Sequence, residues 1–168
     1  KLHKKLKKFN KKLITIIIPR HINRSPEIID DMNKLGLKTK AHSSNQKLKI
    51  DTDIYLVDSY GISSKFYGLT NIAFVGGSLI AHGGQNPLEP ARFGNFIING
   101  PHVNNFKEIY SFLKKHKMSS TTSNILKMEQ TIIKKLNHKN NKQNINKITK
   151  IGKQILDKNL FYINKYLT

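Results

Sequence analysis

The residues best suited to chemistry lie in one stretch: Phe74-Val75-Gly76-Gly77-Ser78-Leu79, then Gly83-Gly84-Gln85-Asn86-Pro87-Leu88-Glu89-Pro90-Ala91, then Phe96-Ile97-Ile98-Asn99-Gly100-Pro101. An apolar run over 72–75 stops at Gly76-Gly77, a polar loop with a second glycine pair follows, and Asn86-Pro87-Leu88-Glu89 writes a helix start. Strand, glycine loop and helix start in that order suit anion binding. Glycine lets backbone N–H groups approach a ligand closely, and a helix N-terminus adds unpaired donors and positive dipole. Glu89 stands three residues after Asn86, so the pair also reads as a capping box that needs no ligand. A carboxylate at that position is equally able to accept two hydroxyl hydrogen bonds, which is the grip a ribose diol requires. Both readings stay open, as does Gly76-Gly77 as a plain strand-ending turn.

Other candidates carry less. Arg20 follows an apolar run and reads by itself as a surface cation or a sheet-end salt bridge. His21, His82 and His102 lack ligand spacing and neighbouring acids, so no metal site is expected. Ser78 lacks the glycine two residues on that a nucleophile elbow has, and no Gly-Lys-Ser/Thr follows the glycines, which excludes a P-loop of the Walker type.

The elements that must position these residues alternate. Residues 13–18, Leu13-Ile14-Thr15-Ile16-Ile17-Ile18, form a run rich in β-branched side chains, the pattern of a strand covered on both faces in a parallel sheet. Ser25-Pro26-Glu27 supplies an N-cap, an N1 proline and a first-turn acid, and Gly36 closes that helix. Further strands are expected at 37–41, 54–57, 72–75 and 96–98, with helices at 63–67, 87–93 and 105–116. Beyond them, 122–136 has helical spacing, 137–146 is polar and of low complexity, and 148–166 is again helical. Short connections between alternating strands and helices imply βαβ crossovers and a doubly wound, Rossmann-like parallel sheet, with ligands at the carboxyl ends of the strands. Arg20, the segment 58–61, Gly76-Gly77 and Gly100-Pro101 all lie at such ends and are expected to converge on one cleft. The domain reading is a helix end over 1–12, a nucleotide-sugar-binding domain over 13–136 and a helical tail over 137–168.

At 168 residues and 38% hydrophobic content, the chain holds enough apolar material for one core. The absence of cysteine removes disulfides and thiolate metal sites. No apolar run approaches the ~18 residues of a membrane span. The net charge of +20 would by itself point to nucleic acid or an anionic membrane. Its distribution argues otherwise for nucleic acid: over 51–110 the acids Asp51, Asp53, Asp58, Glu89 and Glu108 outnumber Lys65, Arg92 and Lys107, and lysine crowds 1–12 and 134–165 instead. Genome composition bias is the plain alternative account of that lysine excess.

Taken together, Phe74-Val75-Gly76-Gly77-Ser78-Leu79, Gly83-Gly84-Gln85-Asn86-Pro87-Leu88-Glu89-Pro90-Ala91 and Gly100-Pro101-His102 with Asn105-Phe106-Lys107-Glu108-Ile109 resemble the C-terminal half of bacterial 3-deoxy-D-manno-octulosonic acid (Kdo) transferases. Ile17-Ile18-Pro19-Arg20-His21 with Arg24, and Asp58-Ser59-Tyr60-Gly61, match two further landmarks in order and spacing, so the resemblance covers roughly 13–113. It implies the C-terminal lobe of a two-lobed GT-B glycosyltransferase, a donor-binding half for CMP-Kdo acting in lipid A and lipopolysaccharide synthesis. By position it places Arg20 against the nucleotide, Ser59, Tyr60 and Gly61 near the base, Gly76, Gly77 and Ser78 by the phosphate, and Asn86 with Glu89 by phosphate and ribose. The general base, the acceptor site and a membrane-associating segment belong, in that family, to the N-terminal lobe, so no catalytic residue is expected in this chain.

The same resemblance implies no cofactor and no metal, with a lipid A precursor as the acceptor, met through the other lobe. It also implies a position at the cytoplasmic face of the inner membrane, with an anionic membrane surface as a further partner. Where the family usually has Gly-Glu, this chain has Gly61-Ile62, which removes any role of that glutamate. The rival readings are another nucleotide-sugar transferase or epimerase lobe and a basic nucleic-acid-binding protein.

Overall fold

The computed structural model describes residues 1–44, 46–136 and 141–167. The chain is α/β with parallel strand pairing throughout the described sheets. It divides into two compact units, Lys1–Phe66 and Tyr67–Thr168, each built on a three-stranded sheet.

In the first unit the central strand is β3 (Ile54–Leu56), flanked by β1 (Thr15–Ile17) and β2 (Thr39–Ala41). Thr15 and Thr39 both lie opposite Ile54, so the two outer strands start level. Helix α1 (Leu2–Phe9) precedes β1, and α2 (Ser25–Lys34) makes the crossover from β1 to β2. The start of α2 differs from expectation. Arg24, not Ser25, is the N-cap, because a 3-10 turn over Ile22–Arg24 already carries the chain into helical geometry and draws Ser25 into a buried first helical position. The Arg24 guanidinium then pairs with Glu27 through two bonds of 3.0 Å. The end is as expected. Gly36 turns left-handed at φ 65°, its N–H donates to Asn33 O (2.8 Å), and the Leu37 N–H donates to Met32 O (3.0 Å), the bond pair of a Schellman stop.

Helix α1 is fastened at the amino ends of the strands. His3 is buried, with Nδ1 2.8 Å from Thr15 Oγ1 and Nε2 3.3 Å from Asp53 Oδ1; Lys7 Nζ donates to the same Asp53 oxygen, and the Lys38 N–H donates to Asp53 Oδ2 at 2.9 Å. Burial pushes the Asp53 carboxyl up, but the bonds from Lys7, the Lys38 N–H and His3 outweigh it and hold the group down at about 2. A carboxyl whose folded value lies below its unfolded value stabilises the fold above the unfolded pKa, and that contribution fades as pH falls toward the folded one. Stability is therefore expected to drop as pH falls from ~4 to ~2, by about 2 kcal/mol from this group. Asp53→Asn should remove that slope and lower neutral-pH stability by a similar amount. Chemical denaturation across the pH range reads both, and an unchanged acid slope would count against Asp53 as the anchor of α1.

In the second unit β5 (Phe96–Asn99) is central, with β4 (Ile72–Val75) and β6 (Ser119–Thr121) on either side; Ile72 faces Phe96, and Asn99 faces Thr121. All four β5 residues are buried, as a strand covered on both faces requires. The short helix α3 (Ser63–Tyr67) leads into this unit, α4 (Leu88–Arg92) connects β4 to β5, and α5 (Lys107–Lys115) connects β5 to β6. The core joins Val75, Ala91, Ile97, Tyr110, Leu113 and Met118. Strand β6 is absent from the sequence expectation because Ser119-Ser120-Thr121 carries no apolar signal. It forms because the edge of β5 offers partners and the buried Met118 anchors its start, the Ile97 N–H donating to Met118 O at 2.9 Å.

Two helices close the chain, α6 (Ile125–Leu136) and α7 (Asn141–Leu167). Of the polar stretch 137–146, residues 137–140 lie outside the described residues, and the rest is already helical, seven residues ahead of the expected start. The first half of α7 is tied down there: Asn144 Nδ2 donates to Gly94 O (3.3 Å), and Ile148 packs against the core. No described helix is long and apolar enough to cross a membrane.

Candidate functional site

At the carboxyl end of β4 the chain folds into a narrow ribbon. The Gly84 N–H donates to Gly77 O (2.9 Å), and the Gln85 N–H to Gly76 O (3.2 Å), so the two glycine pairs lie side by side with 78–82 as the bulge between them. Gly77 and Gly84 both sit at left-handed φ, 65° and 76°, which side-chain-bearing residues rarely adopt. In a trans peptide the C=O and the following N–H point in opposite directions. The carbonyls of Gly76 and Gly77 are both turned to the ribbon, so the N–H groups of Gly77 and Ser78 both face away from it. Two successive amides facing one way make a donor concavity of the kind that receives anions, and because Ser78 is wholly buried while Gly77 is partly exposed, the Gly77 amide is the donor open to a ligand.

The ribbon is clamped from several sides. Tyr110 Oη donates to Gln85 O (2.9 Å), and burial pushes that hydroxyl up to about 12, keeping it a neutral donor. The Asn105 N–H donates to Gly83 O (3.1 Å), and a Cβ on Gly83 would lie 2.5 Å from the Asn105 side chain. Ser78 is 0% exposed; its hydroxyl donates to Val75 O (2.6 Å) and accepts from the Gly100 N–H (2.8 Å), while its carbonyl accepts from the His102 N–H (2.9 Å). Sequence reasoning gave Tyr110 and Asn105 no role. Asn105 stood in the string that carries the family resemblance and Tyr110 lay next to it, but the contacts themselves span more than 20 positions and left no local signal.

Asn86 and Glu89 follow directly, with one adjustment. Helix α4 is shorter than the expected 87–93, with Pro87 at its N-cap, and Asn86 Oδ1 accepts the Leu88 N–H (2.9 Å). A helix of five residues sums few peptide dipoles, so the case for anion binding shifts from the helix start to the ribbon amides. Glu89 is an exposed first-turn residue, and Tyr67, whose hydroxyl is raised mainly by burial, also feels its charge.

The remaining expected site residues belong to the first unit and also follow strand ends. Arg20 is exposed beyond β1; Ser59, Tyr60 and Gly61 follow β3, with Tyr60 68% exposed and Gly61 at φ 77°. Asp58 holds this loop to the one after β2. The Ser43 N–H donates to Asp58 Oδ1 (2.9 Å), and the Ser43 hydroxyl to Oδ2. Burial pushes the Asp58 carboxyl up, yet these bonds prevail and keep it below the usual range. A carboxylate so stabilised is a clasp between loops and a weak proton acceptor. Within the second unit, Gly76, Gly77 and Ser78 come together with Gln85, which delivers the chain to Asn86.

Known proteins are similar to this chain in sequence and in fold. A 3-deoxy-D-manno-octulosonic acid transferase of Haemophilus influenzae is 41% identical over 101 residues, 60% of this chain and 24% of that protein. One from Rickettsia bellii is 32% identical over 157 residues, 90% of this chain and 37% of that protein. A bifunctional glycosyltransferase/methyltransferase of Fusobacterium nucleatum is 32% identical over 138 residues, 81% of this chain and 22% of that protein. Among solved structures, the C-terminal CMP-Kdo binding domain of WaaA from Acinetobacter baumannii superposes with a TM-score of 0.79 at 27% identity, covering 89% of this chain and 79% of that one. No protein-family model matches. The chain spans about a quarter to a third of the length of the curated relatives it matches.

Proposed function

This chain belongs to the Kdo transferase family, whose C-terminal lobe it represents, and on that premise we propose that it binds CMP-Kdo as the sugar donor for transfer to a lipid A precursor. The observation that carries the reading is the Gly77 amide, which the glycine ribbon turns outward at a partly exposed position. In the proposed reaction an acceptor hydroxyl, deprotonated by a base on the other lobe, attacks the anomeric carbon. A new C–O bond forms as the bond to the phosphate breaks and CMP leaves with the electron pair. A fixed amide, already oriented before the charge develops, stabilises the departing phosphate without a metal ion. Glu89 at the start of α4 is assigned the ribose hydroxyls.

Calorimetry with CMP tests this. CMP is expected to bind, UMP to bind more weakly, and Glu89→Ala to weaken CMP by about 1–3 kcal/mol, the range for hydrogen bonds to a charged group. Unchanged CMP affinity with a lowered melting temperature would assign Glu89 to capping alone. Equal affinity for CMP and UMP would favour a lobe for another nucleotide sugar.

A lipid acceptor also places the reaction at a membrane surface, and the lysines over 1–12 and 134–165 suit the anionic cytoplasmic leaflet. Each basic residue near such a surface contributes up to about 1 kcal/mol, screened by salt. Binding to anionic vesicles should fall steeply with salt and with replacement of the exposed Lys4, Lys8, Lys11 and Lys12 by Gln, which leaves the α1 anchor at Asp53 in place; equal binding to neutral vesicles would leave composition bias as the account of the charge.

A further inference from the structure

Ser78 stands beside the Gly77 amide of the proposed donor site, and its hydroxyl invites assignment as a phosphate ligand. The geometry points elsewhere. The side chain is 0% exposed, and its single hydroxyl proton is committed to Val75 O at 2.6 Å. What remains on Oγ is acceptor capacity, already used by the Gly100 N–H at 2.8 Å, and an acceptor repels a phosphate oxygen.

We infer that Ser78 is a positioning residue: its hydroxyl splints the end of β4 to the loop leaving β5, and so holds the glycine loop in which the Gly77 amide is turned to meet the phosphate. Each end of that splint is a backbone group, so the bonds constrain the main chain rather than another rotor. The Ser78 carbonyl is held as well, by the His102 N–H at 2.9 Å. Gly100 lets the two loops touch, since a Cβ there would lie 2.1 Å from Ser78 O. With side chain and carbonyl both tied to the 100–102 segment, and Gly76 and Gly77 tied to Gln85 and Gly84, the intervening peptides have little freedom to rotate. Donors fixed in advance stabilise developing charge more than donors that must reorient. This inference rests on the phosphate-site reading above.

The test compares cytidine with CMP on wild type and Ser78→Ala, and follows amide hydrogen exchange of the ligand-free proteins. CMP affinity is expected to fall about tenfold or more, with cytidine affinity held within about twofold, because only the phosphate uses the amide of the splinted loop. Exchange at Gly84, Gln85 and His102, whose own partners the substitution leaves in place, is expected to speed up. Two results would overturn the inference: an unchanged CMP-to-cytidine ratio, whether both affinities hold or both fall equally, or a loss for CMP with unchanged exchange at those three amides. The last would make the hydroxyl a direct ligand. Should Ser78→Ala not fold, Ser78→Cys, which keeps a weak donor and acceptor, takes its place with the same readings. Wild type binding CMP no better than cytidine would refute the phosphate site itself, and the exchange arm would still decide whether Ser78 splints the loop.

Discussion

Mixed with CMP-Kdo and a lipid A precursor, a polypeptide of these 168 residues is expected to bind the donor and yield no transferred sugar. Transfer needs a base within hydrogen-bond reach of the acceptor hydroxyl, or one water away, and such a base contributes about 10²–10⁴-fold in rate. Two carboxylates lie in the site segments, Asp58 after β3 and Glu89 in α4, and neither is suited. Asp58 is stabilised as an anion by the Ser43 N–H and hydroxyl, which weakens it as a proton acceptor. Glu89 is assigned to the ribose. In the two-lobed architecture that the family implies, the base faces the donor from the N-terminal lobe. Adding that lobe from a full-length Kdo transferase, covalently or in trans, should restore product, measured by mass spectrometry of the lipid. Turnover by the polypeptide alone at a rate comparable to the restored enzyme would sink the assignment, and Asp58→Asn would then be the first variant to assay.

Gly100→Ala is expected to destabilise the protein by about 4 kcal/mol or more, at the severe end for a single substitution. The added Cβ would lie 2.1 Å from Ser78 O, 2.4 Å from Ser78 C and 2.7 Å from Leu79 N. All three are main-chain atoms, and the peptide they form is tied to His102, so no side chain can swing aside to make room. Gly61 is the contrast, because nothing lies within 4 Å of a Cβ there and its φ of 77° leaves only backbone strain. Gly61→Ala should therefore lose only about 1–2 kcal/mol. Denaturant midpoints of the two variants check the ordering, and a Gly100→Ala midpoint as high as that of Gly61→Ala would show that the loops around Ser78 yield more easily than their bonding implies.

Much of this protein was legible in one dimension because the signals were local. The apolar run ending at Gly76 placed β4 and the loop after it, and Gly36 stopped α2 through a bond pair that spans only five residues. Alternating strands and helices with short links gave parallel pairing, since a parallel neighbour cannot be reached by a tight turn. The string from Phe74 to Ala91 pointed to the family, and the relatives agree.

Tertiary structure decided what depends on partners distant in sequence. Ser119-Ser120-Thr121 reads as a polar loop and becomes β6 because β5 leaves an edge to be paired. Residues 141–146 read as a polar stretch of low complexity, yet they are helical where Asn144 and Ile148 find Gly94 and the core. Asp58 was read as a strand-ending acid and is a clasp because Ser43, 15 residues earlier, arrives opposite it. Ser78 is the sharpest case. The family resemblance placed it by the phosphate, and nothing local could show that Gly100, 22 residues on, uses its hydroxyl as an acceptor. Residue type determined that a hydroxyl would be at the loop; only the packing of β4 against β5 determined what that hydroxyl binds, because a buried polar atom takes whatever partner the neighbouring backbone presents.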